Sequence, residues 1–351
     1  MTSAAPLDGR IPIGIVGGGF MGRRHAATLA RVPEFRLVGV ADPFSSELAD
    51  ELGVRAYASH LAMLDDGVDA VIVANPNDQH VSTTLDAHDR GVAVLVEKPL
   101  ATSREALDPL LVAAQAGSPI LVGHHRRHHP VIAAAREIVA DGEIGDLVSV
   151  NGMWVSRKAD AYFEPAWRRA PGAGVVLINA VHDLDLLRVL CGEFVSVHAR
   201  TTSRWRGLDV PDTAVLDFET RDGALGTYVC SDAAVSPWSW DLGTSDEPAF
   251  PFNPLSSCYF LAGTRGSITL PQLLVHHYDG EPSWNEPLSM RVPAVSGSDS
   301  YTRQLEHFAR VVRAEQAPLV TVADAARTIA LLDAVLASAA AGEAVELTDP
   351  D

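Results

Sequence analysis

The chain has 351 residues, of which 47% are hydrophobic and 21% charged, a mix typical of a globular protein with room for two domains. Its formal net charge of -18 disfavours nucleic acid and anionic membranes as partners, because such a surface repels phosphate groups. The three cysteines lack CxxC spacing, no apolar run is long enough to span a bilayer, and MTSAAPLDGR lacks a signal core, so we expect a cytoplasmic protein.

The first part of the chain alternates short apolar runs with helical patterns. Strands are predicted at Ile11–Val16, Arg36–Ala41, Ala70–Ala74, Ala93–Val96 and Ile120–Val122, with helices such as Val81–Arg90 and Arg104–Ala116 between them. This alternation predicts a doubly wound parallel sheet with helices on both faces, and therefore an α/β domain over residues 1–128.

The second part of the chain has strands without helices between most of them. They are predicted at Leu147–Val155, Val195–Ser203, Thr213–Glu219, Ala224–Cys230 and Ser267–Leu270, with helices at Val175–Leu190, Tyr301–Glu315 and Val322–Ala341 and a long loop at Trp238–Pro254. We expect an α+β domain over residues 129–351 with a large open, mainly antiparallel sheet. The C-terminal helices are expected to pack back on the body of the protein.

A glycine-rich turn follows the first predicted strand. The letters IPIGIVGGGFMG place Gly17, Gly19 and Gly22 in G-x-G-x-x-G spacing at the start of a helix. The first glycine permits a tight turn, the second lets the backbone approach a pyrophosphate, and the third lets the helix pack against the strand. Phe20 and Met21 lie at the helix N-terminus, where backbone N–H groups attract phosphates. This predicts a Rossmann domain that binds a dinucleotide.

An aspartate at the end of the second strand refines the cofactor prediction. Asp42 lies 20 residues after Gly22, where a carboxylate accepts hydrogen bonds from the ribose hydroxyls. The same charge repels a 2′-phosphate, so NAD is expected and NADP is disfavoured.

Three further segments complete a pattern that covers nearly the whole chain. They are ANPNDQH at residues 74–80, VEKPL at residues 96–100 and GAGVVLINAVHDLDLL at residues 172–187. Together with the glycine-rich turn, they resemble the glucose–fructose oxidoreductase / inositol dehydrogenase / MocA family. The resemblance implies hydride transfer between a nicotinamide cofactor and a hydroxyl carbon of a sugar or cyclitol. Cofactor contacts are expected at Asn75, Pro76, Asn77, His80 and Glu97.

The resemblance also implies two catalytic residues, Lys98 and His182, both close to the substrate. Oxidation of an alcohol needs a base for the hydroxyl proton while hydride leaves the carbon. A lysine can act as that base if burial and a nearby positive ring lower its pKa from about 10.4 toward neutrality. His182 lies within an apolar helical stretch, where an imidazole without a partner is costly.

The chain departs from the family pattern four residues before His182. Many members carry an aspartate there, but this chain has Ile178, followed by Asn179. Asn179 offers a neutral hydrogen bond to substrate instead. Asp185 lies one turn from His182 and either orients it or forms a pair elsewhere. The change makes an inositol substrate doubtful and leaves the reaction class unchanged.

Other polar and aromatic clusters allow two interpretations each. In GHHRRHHP, residues 123–130, His125 and Arg127 contact substrate or stabilise the domain junction, and we expect no metal because consecutive histidines diverge. Trp167 and Arg168 resemble a pair that borders the family's substrate pocket. A pair of tryptophans in the long loop, Trp238 and Trp240, forms a sugar-stacking wall or packs in an interface.

Two alternatives to a simple dehydrogenase remain open from sequence. Some relatives are NAD-recycling glycosidases that oxidise a sugar transiently, and others are NAD-responsive regulators without catalysis. The regulators typically lose the lysine or the histidine, and this chain keeps both. A homo-oligomer formed through the open sheet is expected from the resemblance.

Overall fold

The computed structural model describes residues 9–101, 103–117, 119–170, 172–297 and 299–347. The described chain divides into two compact units. The first contains the residues up to His128 together with those from 299 to Ile329, and the second contains His129–Gly297 and the residues from Ala330 to 347.

The secondary structure comprises the following elements. The strands are β1 Ile11–Val16, β2 Phe35–Ala41, β3 Arg55–Tyr57, β4 Ala70–Val73, β5 Ala93–Val96, β6 Ile120–Val122, β7 Leu147–Val155, β8 Phe194–Thr202, β9 Thr213–Thr220, β10 Leu225–Ser231, β11 Tyr259–Gly263, β12 Gly266–Leu270, β13 Leu274–His277, β14 Ser289–Arg291 and β15 Val345–Glu346. The helices are α1 Phe20–Leu29, α2 Glu47–Leu52, α3 His60–Asp65, α4 His80–His88, α5 Asp108–Gln115, α6 Pro130–Ala140, α7 Val181–Cys191, α8 Trp240–Gly243, α9 Ser300–Val312 and α10 Val322–Ala341. Short 3₁₀ turns occur at Asn77–Gln79, Glu105–Leu107, His125–His128, Asp160–Phe163 and Ala166–Arg169, and a π-helical turn at Val176–Ala180.

The first unit is built on a six-stranded parallel sheet in the order β3-β2-β1-β4-β5-β6. Its strands β1, β4, β5 and β6 are buried along their whole length, as expected for a parallel sheet covered on both faces. Helix α9 joins this core, where Phe308 stacks on Phe35 with ring centroids 5.9 Å apart. The predicted Rossmann sheet is confirmed. Strand β3 was not predicted, because its residues Arg55–Tyr57 do not form a continuous apolar run.

The second unit is built on a nine-stranded sheet in the order β14-β13-β12-β11-β7-β10-β9-β8-β15. Only β7 and β10 pair in parallel, so the predicted mainly antiparallel sheet is confirmed. The predicted apolar helix Val175–Leu190 occurs as the π-helical turn followed by α7. Four strands were not predicted, namely β11, β13, β14 and β15.

The segment predicted as the long loop Trp238–Pro254 contains the short helix α8. Trp240 is almost completely buried and contacts the rings of His129 and Tyr259. The prediction of a continuous loop was therefore wrong, and Trp240 packs in the core, while Trp238 is about half exposed. None of the helices in the described ranges has the length and apolar composition needed to cross a bilayer.

Candidate active site

The turn between β1 and α1 has the geometry that a pyrophosphate needs. Gly17 has φ +101°, and a Cβ there would lie 2.4 Å from the carbonyl oxygen of Ala74. A Cβ on Gly22 would lie 1.9 Å from the carbonyl oxygen of Gly17, so only glycine lets α1 approach the turn. A Cβ on Gly19 meets no atom within 4 Å and would project into the open space above the turn. The turn thus leaves a cradle that a side chain would fill.

Asp42 is fixed beside this turn by two backbone groups. Its Oδ2 accepts the N–H of Gly18 at 2.8 Å, and its Oδ1 accepts the N–H of Phe44 at 2.9 Å. Each carboxylate oxygen retains a second lone pair, which suits ribose hydroxyl donors. Phe20 is 72% exposed at the start of α1, and Met21 is half-buried behind it. These residues fit a dinucleotide.

The segment after β4 is held by a buried histidine. His80 directs Nε2 to the carbonyl oxygen of Asn75 at 3.0 Å and Nδ1 to that of Pro99 at 2.8 Å. Burial lowers the pKa of His80 and outweighs the favourable effect of the two carbonyls. A neutral ring donates to only one of them. His80 therefore fixes backbone at the ends of β4 and β5, whereas Pro76 and Asn77 are exposed in the following turn.

Asn75 retains an unused acceptor. Its Nδ2 donates to Thr83 Oγ1 at 2.9 Å and lies 3.4 Å from Gln79 Oε1. Its buried Oδ1 has no hydrogen-bond partner within the described part of the chain. A bound ligand with an N–H or O–H group would satisfy this oxygen.

Glu97 lies beneath Lys98 as a buried carboxylate. Its Oε1 is 2.7 Å from His25 Nε2, and its Oε2 accepts the backbone N–H of Lys98 at 3.2 Å. Burial acts to raise the pKa of Glu97, but the hydrogen bond from His25 and the charge of Lys98 outweigh it and lower the pKa. Glu97 is thus an anion that anchors the strand end, and Lys98 is half-buried beside it.

His25 was not among the site residues predicted from the sequence. It lies on α1, three residues after Gly22, and its ring packs edge-on against Tyr301 of α9 at 6.0 Å. The available signal was its position one helical turn past the glycine motif. His25 connects the cofactor turn to Glu97 and therefore to the backbone of Lys98.

The histidine-rich segment after β6 is buried within the first unit. His125 stacks on Tyr301 with ring centroids 4.1 Å apart. Burial lowers the pKa of His125 well below its usual value, and the charges of Arg126 and Lys98 lower it further. Arg127 forms a 2.6 Å ion pair with Asp324 of α10, a contact that ties the segment to that helix. No group of three potential metal ligands occurs among the described residues.

His182 is half-buried at the start of α7, and the next residue anchors that helix. The buried carboxylate of Asp183 accepts the hydroxyl of Tyr228 at 2.9 Å and that of Tyr259. Asp185 lies 4.0 Å from Arg188 in a second buried pair. The helix carrying His182 is therefore fixed to strands β10 and β11.

Asn179 contacts a lysine that the sequence reading did not single out. Lys158, which follows β7, donates from Nζ to Asn179 Oδ1 at 2.7 Å. Arg168 donates to the carbonyl of Tyr162 and lies over its ring, 4.0 Å from the centroid. Trp167 is 61% exposed next to Arg168. Of the residues predicted to bind substrate in the second unit, Asn179 thus contacts Lys158, and Arg168 lies over the ring of Tyr162, which Lys158 also approaches.

Comparisons with known proteins place this geometry in a family. The model of the oxidoreductase family's NAD-binding Rossmann fold matches residues 11–124, and that of its C-terminal alpha/beta domain matches residues 136–347. D-xylose 1-dehydrogenase (NADP(+)) 2 of Haloferax volcanii is 28% identical over 95% of this chain and 99% of the relative. Inositol 2-dehydrogenase of Rubrobacter xylanophilus is 30% identical over 75% and 72%.

The fold is also shared with levoglucosan dehydrogenase in complex with NADH and levoglucosan, with a TM-score of 0.79 at 21% identity, covering 97% of this chain and 100% of that one. The chain therefore belongs to the Gfo/Idh/MocA family of NAD(P)-dependent oxidoreductases, whose homologues are sugar and inositol dehydrogenases.

Proposed function

We propose that the protein is an NAD-dependent dehydrogenase that transfers hydride between nicotinamide and a hydroxyl or keto carbon of a sugar, sugar derivative or cyclitol. The observation that carries the proposal is the connection between the glycine turn and Lys98. His25 follows the turn on α1 and contacts Glu97, which in turn holds the backbone of Lys98. A cofactor cradle and a lysine suited to proton transfer thus belong to one connected set of residues.

NAD is the proposed cofactor because of Asp42. Its two oxygens already accept backbone N–H groups, so the carboxylate is fixed as an acceptor for ribose hydroxyls. A 2′-phosphate would meet a negative charge there. One relative is named as NADP-dependent and another, scyllo-inositol 2-dehydrogenase of Bacillus subtilis, as NAD-dependent.

The proposed mechanism assigns separate tasks to the residues of the chain. Bound nicotinamide supplies the hydride acceptor. Lys98 takes the hydroxyl proton, and the carboxylate of Glu97 stabilises positive charge at this end of β5. His182 assists the proton transfer, and His125, Arg168 and Trp167 contact the sugar. Asn75 Oδ1 accepts a hydrogen bond from the cofactor or substrate.

Steady-state NADH formation with a panel of sugars, sugar acids and cyclitols tests this proposal. We expect net NADH production with at least one member of the panel. Tight NAD binding combined with glycoside cleavage and no net NADH would contradict it and favour the NAD-recycling alternative. Binding of NAD without any turnover would favour a regulator.

For assembly, we propose a homo-oligomer formed through the outer face of the nine-stranded sheet. Exposed apolar side chains on that face come from four strands: Leu225 of β10, Val215 of β9, Phe260 of β11 and Met290 of β14. Light scattering tests this, and a monomer at micromolar concentration would contradict it. We also propose a cytoplasmic location, which the three buried, unbridged cysteines support.

A further inference from the structure

The chain contains only two lysines among its 27 basic residues, Lys98 and Lys158. Every other basic residue is an arginine, so arginine serves nearly all surface and structural ion pairs. Lysine differs from arginine in its compact ammonium group and in the ease with which burial shifts its pKa. One of the two lysines is the proposed base. We therefore expect Lys158, the other lysine, to have a specific role.

Lys158 is a partly buried cation with incomplete hydrogen bonding. Its side chain is 13% exposed. Its ammonium lies 2.7 Å from Asn179 Oδ1 but 3.7 Å from Asp232 Oδ2, too far for a good hydrogen bond. An ammonium has three N–H donors, so two of them have no hydrogen-bond acceptor among the described residues. The rings of Trp154 and Tyr162 lie 5.5 and 4.5 Å from Nζ and stabilise the positive charge.

The local carboxylate, Asp232, is shared between Lys158 and a second cation. Asp232 Oδ1 pairs with Arg206 Nε at 2.6 Å. Arg168 adds a third positive charge over the ring of Tyr162. Burial, opposed by Asp232 and reinforced by Arg206 and Arg168, lowers the pKa of Lys158 to about 8.

The other acidic side chains nearby already have hydrogen-bond or ion-pair partners. Asp212 accepts the backbone N–H groups of Trp205 and Arg206, both at 2.8 Å. Asp160 is 83% exposed and pairs with Arg157 and Arg206. A ligand with negative charge would therefore complete the balance at Lys158.

Lys158 is joined to the helix that carries His182. Asn179 precedes His182 by three residues, so the two are neighbours along the helical segment. Ile178 and Asn179 carry no carboxylate, which would repel an acidic ligand. The chain has an amide and an ammonium group in this neighbourhood instead.

We propose that Lys158 binds the carboxylate of an acidic sugar substrate such as a uronate. A substrate hydroxyl group would accept a hydrogen bond from the free N–H donors but leave the positive charge uncompensated. A carboxylate would accept those hydrogen bonds and also compensate the charge. This inference rests on the proposed dehydrogenase function.

The test compares sugars that differ only at one carbon, D-glucose with D-glucuronate and D-galactose with D-galacturonate, in the full-length protein with saturating NAD. We expect the wild type to have a higher kcat/KM for the acid of a pair. Lys158→Gln should lower kcat/KM for the acid about 10- to 100-fold, mainly through KM, and change the neutral sugar by less than about fivefold. NAD affinity should not change.

Two further variants separate binding from structure. Arg157→Gln removes an exposed neighbouring charge and should leave the acid preference intact. Lys158→Arg keeps the charge and should retain part of the preference, which covers the case in which Lys158→Gln does not fold. Equal losses on acid and neutral sugars, or a wild type that prefers neutral sugars, would overturn the inference while the dehydrogenase proposal stands. Absence of NADH formation with every sugar would instead contradict the proposed function.

Discussion

The two lysines of the chain have opposite electrostatic surroundings. Lys98 follows a buried carboxylate, Glu97, whose pKa is lowered and which holds the lysine's own backbone N–H. Lys158 contacts the neutral amide of Asn179 and is close to two arginines, with one shared carboxylate at 3.7 Å. The anion beneath Lys98 stabilises positive charge on the lysine. A surplus of cations around Lys158 suits recognition of an anion.

The difference also separates the tasks of the two units. The first unit has the glycine turn, Asp42 and the Glu97–Lys98 pair, all placed at the ends of parallel strands, where ligands of open α/β sheets bind. The second unit has the Lys158 neighbourhood at the end of β7, beside the helix of His182. We expect substitutions in the first unit to affect cofactor binding or chemistry for every substrate. Substitutions around Lys158 should affect only the choice of substrate.

The largest effect is expected from Lys98→Met. Loss of the proposed base should lower kcat by about 10³-fold with every substrate, because water would then have to accept the hydroxyl proton. NAD affinity, measured by fluorescence titration, should stay near the wild-type value. Lys98→Arg is the matched control, since it keeps the charge but cannot accept a proton at neutral pH. Retention of high activity in either variant would reject the role of Lys98.

The next largest effect is expected from Asp42→Ser. Loss of the fixed carboxylate should weaken NAD binding about 10- to 100-fold and improve NADP binding relative to NAD, because the repulsion of a 2′-phosphate disappears. Titration with NADH and NADPH measures both. Asp50→Asn removes an exposed acid nearby on α2 and should change neither affinity. An unchanged ratio of the two affinities in Asp42→Ser would contradict the cofactor proposal.

Glu97→Gln tests whether the anion beneath Lys98 supports both stability and catalysis. Loss of the contact with His25 should lower the free energy of unfolding by about 1–3 kcal/mol, measured by urea denaturation at neutral pH. Because folding lowers the pKa of Glu97, its contribution is present above the usual carboxyl range and is lost as pH falls through the folded value. The variant should therefore lose less stability than the wild type on acidification.

A double-mutant cycle with His25→Asn provides the control for that prediction. The two substitutions should be non-additive, because the side chains share one hydrogen bond. Additive losses would show that Glu97 and His25 act independently. In that case the proposed connection between the cofactor turn and Lys98 would fail.

A structural feature of this protein can be predicted from the sequence when the residues that form it are close together in the chain. Strands β1, β5, β6 and β7 were predicted with their observed ends, because each is a continuous apolar or alternating run bounded by polar or turn residues. The Gly17–Gly22 turn is contiguous, so the sequence alone predicts it. Short edge strands such as β14 and β15 have too few residues to show a period.

The Lys158 neighbourhood could not be predicted in the same way. It combines Lys158 after β7, the amide of Asn179 21 positions later on the helical segment, and Asp232 after β10, more than 70 positions after Lys158. Only the sheet order brings them together, since β7 pairs with β10. The scarcity of lysine in the sequence was the one available signal. His25 likewise needed the contact with Glu97, 72 residues away, to be recognised.

The smallest effect is expected from Asn179→Asp, which would make the surroundings of Lys158 more like those of Lys98. A carboxylate in place of the amide, 2.7 Å from the ammonium, should raise the pKa of Lys158 above about 8, because it favours the charged form. It should also neutralise the local surplus of positive charge. Binding of an acidic sugar should weaken about three- to tenfold, with kcat nearly unchanged.

The pH dependence of KM for the acid provides the measurement for Asn179→Asp. In the wild type, KM should rise as pH increases through about 8, because the neutral amine no longer attracts a carboxylate. In the variant, that rise should shift to higher pH, since Lys158 holds its proton longer. Asn179→Ser, which shortens the side chain without adding charge, is the control and should not shift the profile upward. If Asn179→Asp instead tightened the binding of acids, the positive charge of Lys158 would not be what selects the substrate, and the contrast between the two lysines would lose its functional meaning.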